Sequence, residues 1–400
     1  MKSLIILSLA LICYGFGNDP EVNMTPIEMI EYWGYPAEEI TATTKDGYVL
    51  HMHRIRHGKG QEDKKNKPVV FMQHGLICSS TNWITNLPTE SAAFIFADAG
   101  FDVWLGNMRG NTYSIDSTNV DTNSKEFWAF SWDEMAKYDL DAMIDKALEV
   151  SGQKDLYYIG HSQGTLTMFS KLSIDPTFKN KVRKFFALAP VGTVGHIKGA
   201  MEVLAKFLYP EIGLVETILG DKEFLPNNWL MEILNKAVCE NFLLKGMCDN
   251  ILFLIAGPES NQLNATRVPV YMGHTPAATS VQNMVHWMQM VHSKKQEMYD
   301  YRSEKENQKH YGQSTPPEYD ISNVNVDTYL YWGDSDWLGD PTDIKTHLLT
   351  NLNPEIVKAS VELKDFNHMD FIWGLRAPKE VYEPIMNIIL HDLSQNNKSV

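Results

Sequence analysis

Gly160-His161-Ser162-Gln163-Gly164 sets a serine between two glycines at the spacing G-x-S-x-G, after the apolar stretch Leu156 to Ile159 and before the helical pattern Thr165 to Leu172. A serine so flanked can occupy a tight strand-to-helix turn. The glycines let neighbouring backbone approach and leave the hydroxyl exposed at the carboxyl end of a sheet. Ser162 is therefore the expected nucleophile. A hydroxyl is a poor nucleophile at its own pKa, so a histidine must take its proton and a carboxylate must hold that histidine's tautomer and orientation. A tetrahedral intermediate also needs backbone donors for its oxyanion, one from the residue after the nucleophile and one from an early loop that follows a strand. Gln163 supplies the first. His74-Gly75-Leu76 follows the apolar stretch Pro68 to Gln73 and puts a glycine where the backbone must bend toward substrate, which assigns the second to the Leu76 amide.

Behind an elbow of this kind the acid and then the histidine follow the serine along the chain, the acid just after a late strand and the histidine on a loop before the last helix. Asp327 to Trp332 runs into Gly333-Asp334-Ser335-Asp336, and Val357 to Leu363 runs into Phe366-Asn367-His368-Met369-Asp370. Asp336 is taken as the acid and His368 as the general base. Asp334 stays a competitor, because spacing alone does not separate it from Asp336. Asp340, followed by Pro341, reads better as a helix N-cap. His274, His286, His292 and His310 fall in a separate helical stretch and His391 in the final helix, so His368 alone occupies the required loop. His51 and His53 share one strand face, but no further ligands stand at metal-binding spacing. Neither a metal nor a cofactor is expected.

The elements that must position these residues alternate in type. Thr41 to Ile55 reads as one or two strands broken at the turn pair Asp46-Gly47, and Pro68 to Gln73, Phe101 to Leu105, Leu156 to Ile159 and Phe185 to Leu188 as further strands. Helical patterns at Ser91 to Ala99 and Trp132 to Val150 lie between them. This rhythm predicts an α/β fold whose mainly parallel sheet carries helices on both faces. From about residue 193 to 320 the rhythm stops, and Gly199 to Leu219 and Asn228 to Ala256 carry Leu, Ile, Phe, Met and Trp at helical spacing without strand signals. Residues 1–17 therefore read as a signal peptide, 18–192 as the first part of a core, 193–320 as a helical cap or lid insertion, and 321–400 as the rest of the core. The final helix has Val381, Ile385, Ile388 and Ile389 on one side. A movable lid is expected within residues 227–256.

Composition narrows the function class. With 44% hydrophobic, 21% charged and 11% aromatic residues the chain is globular, neither fibrous nor disordered. Fifty acidic against thirty-five basic residues give a net charge of −15, which leaves no basic stripe for a nucleic-acid backbone. Lys2 precedes the apolar run Leu4 to Cys13, and Gly15 and Gly17 follow at the spacing of a signal-peptidase site. That run of about ten residues falls short of the roughly twenty that span a bilayer, so no transmembrane anchor is expected. A secretory route makes the sequons at Asn23, Asn264 and Asn397 plausible glycan sites. In an oxidising compartment the nine-residue spacing of Cys239 and Cys248 suits a local disulfide, and Cys78 is left as a buried, inert thiol.

Beyond these residues the chain resembles the animal acid lipases, the family of gastric and lysosomal acid lipase. The resemblance runs from Glu31-Tyr32-Trp33-Gly34-Tyr35-Pro36 to the C-terminal helix. It includes His74-Gly75-Leu76, Trp104-Leu105-Gly106-Asn107-Met108-Arg109-Gly110-Asn111, the elbow, Thr279-Ser280-Val281-Gln282-Asn283 and His368-Met369-Asp370-Phe371-Ile372-Trp373. It implies an α/β-hydrolase core, Ser162, Asp336 and His368 as nucleophile, acid and base, and Leu76 and Gln163 as oxyanion donors. It also implies a cap, a Cys239–Cys248 disulfide within that cap, and an acidic optimum. At Ala256 some members carry a further cysteine, a departure that puts nothing catalytic in doubt.

The expectation is thus a monomeric lipase of the lysosome, gut lumen or extracellular space. It would cleave triacylglycerols or cholesteryl esters at a droplet or micelle interface through an acyl-enzyme. A greasy cap fits that task, since long acyl chains need a dry pocket. A histidine of ordinary pKa, about 6.5, is largely protonated at pH 5, so acid activity requires either desolvation beneath the cap or a large reserve of rate. The alternatives are a carboxylesterase of small soluble esters, with a tight cap and no interfacial preference, and a non-catalytic lipid-binding protein, which would need a broken triad or oxyanion hole. Ser162 at the elbow, rather than an aspartate, excludes epoxide-hydrolase and dehalogenase chemistry.

Overall fold

The computed structural model describes residues 19–209, 223–224 and 256–396. Eight strands form one sheet: β1 (Ala37–Thr43), β2 (Val49–Ile55), β3 (Val69–Gln73), β4 (Asp102–Gly106), β5 (Leu156–His161), β6 (Val182–Leu188), β9 (Thr328–Gly333) and β10 (Val357–Leu363). Their order is β1-β2-β4-β3-β5-β6-β9-β10. The β1–β2 hairpin and the β2–β4 pair are antiparallel, and every pair from β4 to β10 is parallel. A parallel sheet must be covered on both faces, which explains why β3, β4 and β5 read as continuous apolar runs and are buried throughout.

Alternation along each strand divides the core in two. On one face Val69, Phe71, Tyr158, Ala187 and Leu330 pack under α3 (Leu140–Ser151) and α4 (Gln163–Ile174). On the other, Val70, Met72, Ile159, Leu188 and Tyr331 pack under α2 (Ala92–Asp98) and α9 (Glu383–Asn396). The strand side-chain period of two sends successive residues to opposite layers. The Thr25–Glu28 capping box starts α1 (Pro26–Tyr32), with Pro26 where its missing N–H is harmless.

Between Leu188 and Thr328 the main sheet receives no strand among the described residues. This stretch holds α5 (Gly199–Leu208), α6 (Val268–His274), α7 (Val281–Ser293) and α8 (Glu304–Tyr311). It also holds a two-residue antiparallel ladder of β7 (Glu223–Phe224) and β8 (Thr279–Ser280), outside the two segments that carry helical spacing without strand signals. Two residues per strand are too few to leave an alternation in sequence. The start of β6 precedes the apolar run because Arg183 and Lys184 sit within the strand, with Arg183 Nε donating to Asp392 and Lys184 paired with Asp327. Cys78 is buried, and burial pushes its thiol up to about 11. The signal segment, the lid stretch apart from Ala256, Cys239, Cys248 and Asn397 lie outside the described residues. Among the described residues no helix is long and apolar enough to cross a membrane.

Candidate active site

Ser162 stands between β5 and α4 with φ 54° and ψ −119°, a conformation that non-glycine residues avoid and that marks a strained turn. Its N–H donates to the Leu188 carbonyl at 3.1 Å, tying the turn to the next strand. The flanking glycines are required by approach. A Cβ on Gly160 would lie 2.8 Å from the Gly164 carbonyl oxygen, and one on Gly164 would lie 2.4 Å from that of Gln73. The elbow is thus wedged against the end of β3, where the candidate oxyanion loop begins. A Cβ on Gly75 would meet Ser162 Cβ at 3.0 Å and Oγ at 3.4 Å, so this loop passes directly over the serine.

His74 fixes that loop, a role that no local pattern in the sequence signals. Its Nε2 accepts the Met108 N–H at 3.1 Å and faces Asn111 Nδ2 at 3.1 Å, so the ring proton belongs on Nδ1, which lies 2.8 Å from the Gly75 carbonyl oxygen. In a trans peptide the N–H opposes the C=O, and pinning the Gly75 carbonyl therefore pins the direction of the Leu76 N–H. Burial holds His74 down at about 4, so the ring keeps this neutral form in mild acid. Asn107 Oδ1 accepts from Asn111 Nδ2 and from Ser80 N–H. The phrase Trp104 to Asn111 is thereby explained as the support of the loop. Neither the Leu76 nor the Gln163 N–H is taken up by a backbone carbonyl among the described residues.

Asp336 and His368 come from the loops after β9 and β10, neighbouring parallel strands whose carboxyl ends open on the same side as the elbow. Both are buried. His368 Nδ1 lies 3.0 and 2.9 Å from the two Asp336 oxygens, and Asp336 Oδ1 also accepts the Leu338 and Gly339 N–H groups at 2.8 Å each. Asp334 is exposed and instead accepts the Asp365 N–H and the Ser335 hydroxyl. Asp340 caps the Thr342 N–H with Pro341 following, in keeping with the sequence pattern.

The His368 loop is held from below and behind. Asn367 Oδ1 accepts from Met369 N–H and Asp370 N–H, and Asp370 accepts from Asn367 N–H and the Ser260 hydroxyl. Burial pushes the Asp370 carboxyl up to about 6. The His368 N–H donates to the Ala256 carbonyl at 3.1 Å. On the elbow, His161 Nε2 donates to the His368 carbonyl at 2.9 Å, and the two rings lie 4.9 Å apart. Burial first, and then the nearby His368, holds His161 well below the usual imidazole range, so its ring is a neutral support for the His368 loop. His51 and His53 share Glu39, which His53 and His51 hold down at about 2, and among the described residues no group of His, Cys, Asp and Glu makes a metal cluster.

Comparison with known proteins agrees with this architecture. A model described as "alpha/beta hydrolase fold" matches residues 68–375, and one described as "Partial alpha/beta-hydrolase lipase region" matches residues 26–87. Lipase lipl-1 of Caenorhabditis elegans is 58% identical over 98% of this chain and 97% of its own. Human gastric triacylglycerol lipase is 46% identical over 94% and 93% of the two chains. Human lysosomal acid lipase/cholesteryl ester hydrolase is likewise 46% identical, over 93% and 92%. Among solved structures, α/β hydrolase GrgF of Penicillium shares the fold at a TM-score of 0.51 and 14% identity, covering 90% of this chain and 98% of that one. The chain belongs to the α/β-hydrolase family and, within it, to the animal acid lipases.

Proposed function

We propose that the protein is an acid lipase that hydrolyses the carboxylic ester bonds of neutral lipids, triacylglycerols or cholesteryl esters, and releases free fatty acids. The observation that carries this reading is the buried Asp336–His368 pair, tied to the strained Ser162 turn by the His161–His368 hydrogen bond, in a chain whose relatives are named as lipases. Asp336 holds the His368 proton on Nδ1 and leaves Nε2 as the base. Ser162 Oγ then attacks the ester carbonyl while its proton passes to His368 Nε2, and the Leu76 and Gln163 N–H groups receive the oxyanion. Collapse breaks the C–O bond, His368 returns the proton to the leaving alcohol, and the acyl group stays on Ser162. Water, activated by His368, repeats the sequence and frees the fatty acid and Ser162.

The same reading takes residues 1–17 as a signal peptide, 193–320 as a cap, the secretory pathway as the route, and Asn23, Asn264 and Asn397 as glycan acceptors. Asn23 is exposed, which suits a glycan. Replacing Ser162 by alanine and assaying emulsified triacylglycerol and micellar cholesteryl ester tests the reading. Unchanged turnover by Ser162→Ala would remove it.

A further inference from the structure

The phrase Thr279-Ser280-Val281-Gln282-Asn283 has no part in the mechanism above, yet it packs against the residue that supplies one oxyanion amide. The Gln163 side chain is buried, and its Oε1 accepts two donors from α7: Trp287 Nε1 at 2.8 Å and Asn283 Nδ2 at 3.0 Å. An indole N–H only donates, which fixes which end of the Gln163 amide faces α7. The other end, Nε2, is directed at Met135 Sδ at 3.4 Å. Both ends of this side chain are therefore held, although an apolar residue could fill the same space without the desolvation that a buried amide incurs.

The donors are themselves fixed. Asn283 Nδ2 also reaches Thr279 Oγ1 at 3.0 Å, the Asn283 N–H donates to Ser280 Oγ at 2.9 Å, and that hydroxyl donates to the Phe130 carbonyl. One turn along α7, His286 lies 3.0 Å from Ser131 Oγ and stacks on Trp132. Just before the phrase, the Ala277 N–H donates to the Ile77 carbonyl at 2.7 Å, and the Ala277 carbonyl accepts the Thr112 N–H at 2.8 Å. Ile77, next to Leu76, has φ 51°, and Ala278 has φ 66°. A β-branched residue at positive φ persists only where its surroundings over-determine it. One continuous segment, residues 277–287, thus grips the oxyanion loop at one end and Gln163 at the other.

We propose that Asn283 and Trp287 are positioning residues for ester hydrolysis, holding the Gln163 side chain so that its backbone N–H stays aimed at the developing oxyanion. The proposal rests on the serine-hydrolase reading. An amide donor matters most when charge develops, so loosening it lowers kcat while ground-state binding is unchanged.

The test compares Trp287→Phe, Asn283→Leu and Gln163→Met, which remove the donors or the acceptor at similar size, on a soluble short-chain ester. Each should lower kcat about tenfold, less than the roughly 10²-fold to 10³-fold of losing a donor outright, with KM within about twofold. Affinity for an alkylboronic acid, which mimics the tetrahedral adduct on Ser162, should fall by the same factor as kcat. In the Gln163→Met background neither second substitution should lower kcat further, because the acceptor is already gone. Wild-type kcat with only a lowered Tm, or factors that multiply in the double variants, would overturn the proposal. If Trp287→Phe does not fold, Asn283→Leu decides the matter in the same way. Loss of activity in Ser162→Ala alongside unchanged Trp287→Phe and Asn283→Leu would sink this inference alone, whereas activity in Ser162→Ala would sink the reading beneath it.

Discussion

The Asp336 carboxylate meets His368 across the carboxyl ends of two neighbouring parallel strands, with Nδ1 2.9 Å from Oδ2 and both side chains buried. A carboxylate only accepts, so the contact puts the proton of the neutral imidazole on Nδ1 and leaves Nε2 as an acceptor, the form that the proposed base requires. Asp336→Asn can present its amide to the ring and favour the other tautomer. Its kcat should fall about 10³-fold to 10⁴-fold with little change in KM. Asp334→Asn, altered two residues away but facing outward, should stay near wild type. Equal losses in steady-state assays of the two variants would contradict the assignment.

The glycines around Ser162 should separate stability from activity. Gly164→Ala drives a methyl to 2.4 Å from one carbonyl oxygen and 2.9 Å from another, both backbone, so something in the elbow must shift. Overpacking of this kind costs about 1 to 3 kcal/mol and should appear as a lowered Tm. Gly75→Ala brings its methyl 3.0 Å from Ser162 Cβ and 3.4 Å from Oγ, crowding the proposed nucleophile. It should lose at least about tenfold in kcat, since small misplacement at the reacting centre is heavily penalised, while Tm moves less than in Gly164→Ala. The reverse ranking of the two Tm values would refute this explanation of the elbow.

His74 ties the oxyanion loop to pH. An unfolded histidine titrates near 6.5, whereas burial pushes His74 down to about 4 in the fold. The stability that a neutral His74 contributes is fully present above about pH 6.5 and is lost as pH falls toward 4, by about 3 kcal/mol in all. Asp370, pushed up to about 6 by burial, acts in the opposite sense, gaining stability as pH falls. The difference between wild type and His74→Asn therefore isolates the histidine. Urea unfolding at a series of pH values should show the wild-type advantage shrinking by about that amount between pH 7 and pH 4. Parallel curves would exclude His74 as the titrating group.

Arg109 is a buried cation that follows Met108, the residue whose N–H donates to His74. It pairs with Asp139 through Nε at 2.8 Å and with Asp46 through Nη1 at 2.6 Å, and it lies 3.9 Å from the centre of the Tyr48 ring. Burial already pushes the Asp139 carboxyl up to about 6, against the pull of Arg109. Arg109→Met leaves Asp139 without its cation and should cost about 3 to 5 kcal/mol at neutral pH. The deficit should narrow at pH 4, where Asp139 is protonated. A pH-independent loss in unfolding experiments would point to packing alone.

The parts of the site legible in the sequence are those encoded within a few residues. Ser162, Gln163 and Leu76 stand out from glycine spacing beside apolar strands, because a tight turn leaves its demands in adjacent positions. His368 stands out from its loop. Spacing does not separate Asp334 from Asp336, since two neighbouring loop residues differ in direction. That direction is set by N–H donors elsewhere in the fold, Leu338 and Gly339 for Asp336 and Asp365 for Asp334. What the sequence hides depends on long-range contact. His74 needs Asn111, and Gln163 needs Trp287, 124 residues away. The β7–β8 ladder and the charged start of β6 are hidden because neither gives the apolar alternation that marks a strand.

The most direct measurement compares wild type with Ser162→Ala on emulsified long-chain triacylglycerol, micellar cholesteryl ester and a soluble short-chain ester. Assays should run from about pH 4 to pH 8, a range that spans histidine titration. Hydrolysis is predicted to vanish in Ser162→Ala and, in the wild type, to be greatest on the two lipid aggregates. Activity that survives in Ser162→Ala, or that is confined to the soluble ester, would contradict the acid-lipase reading.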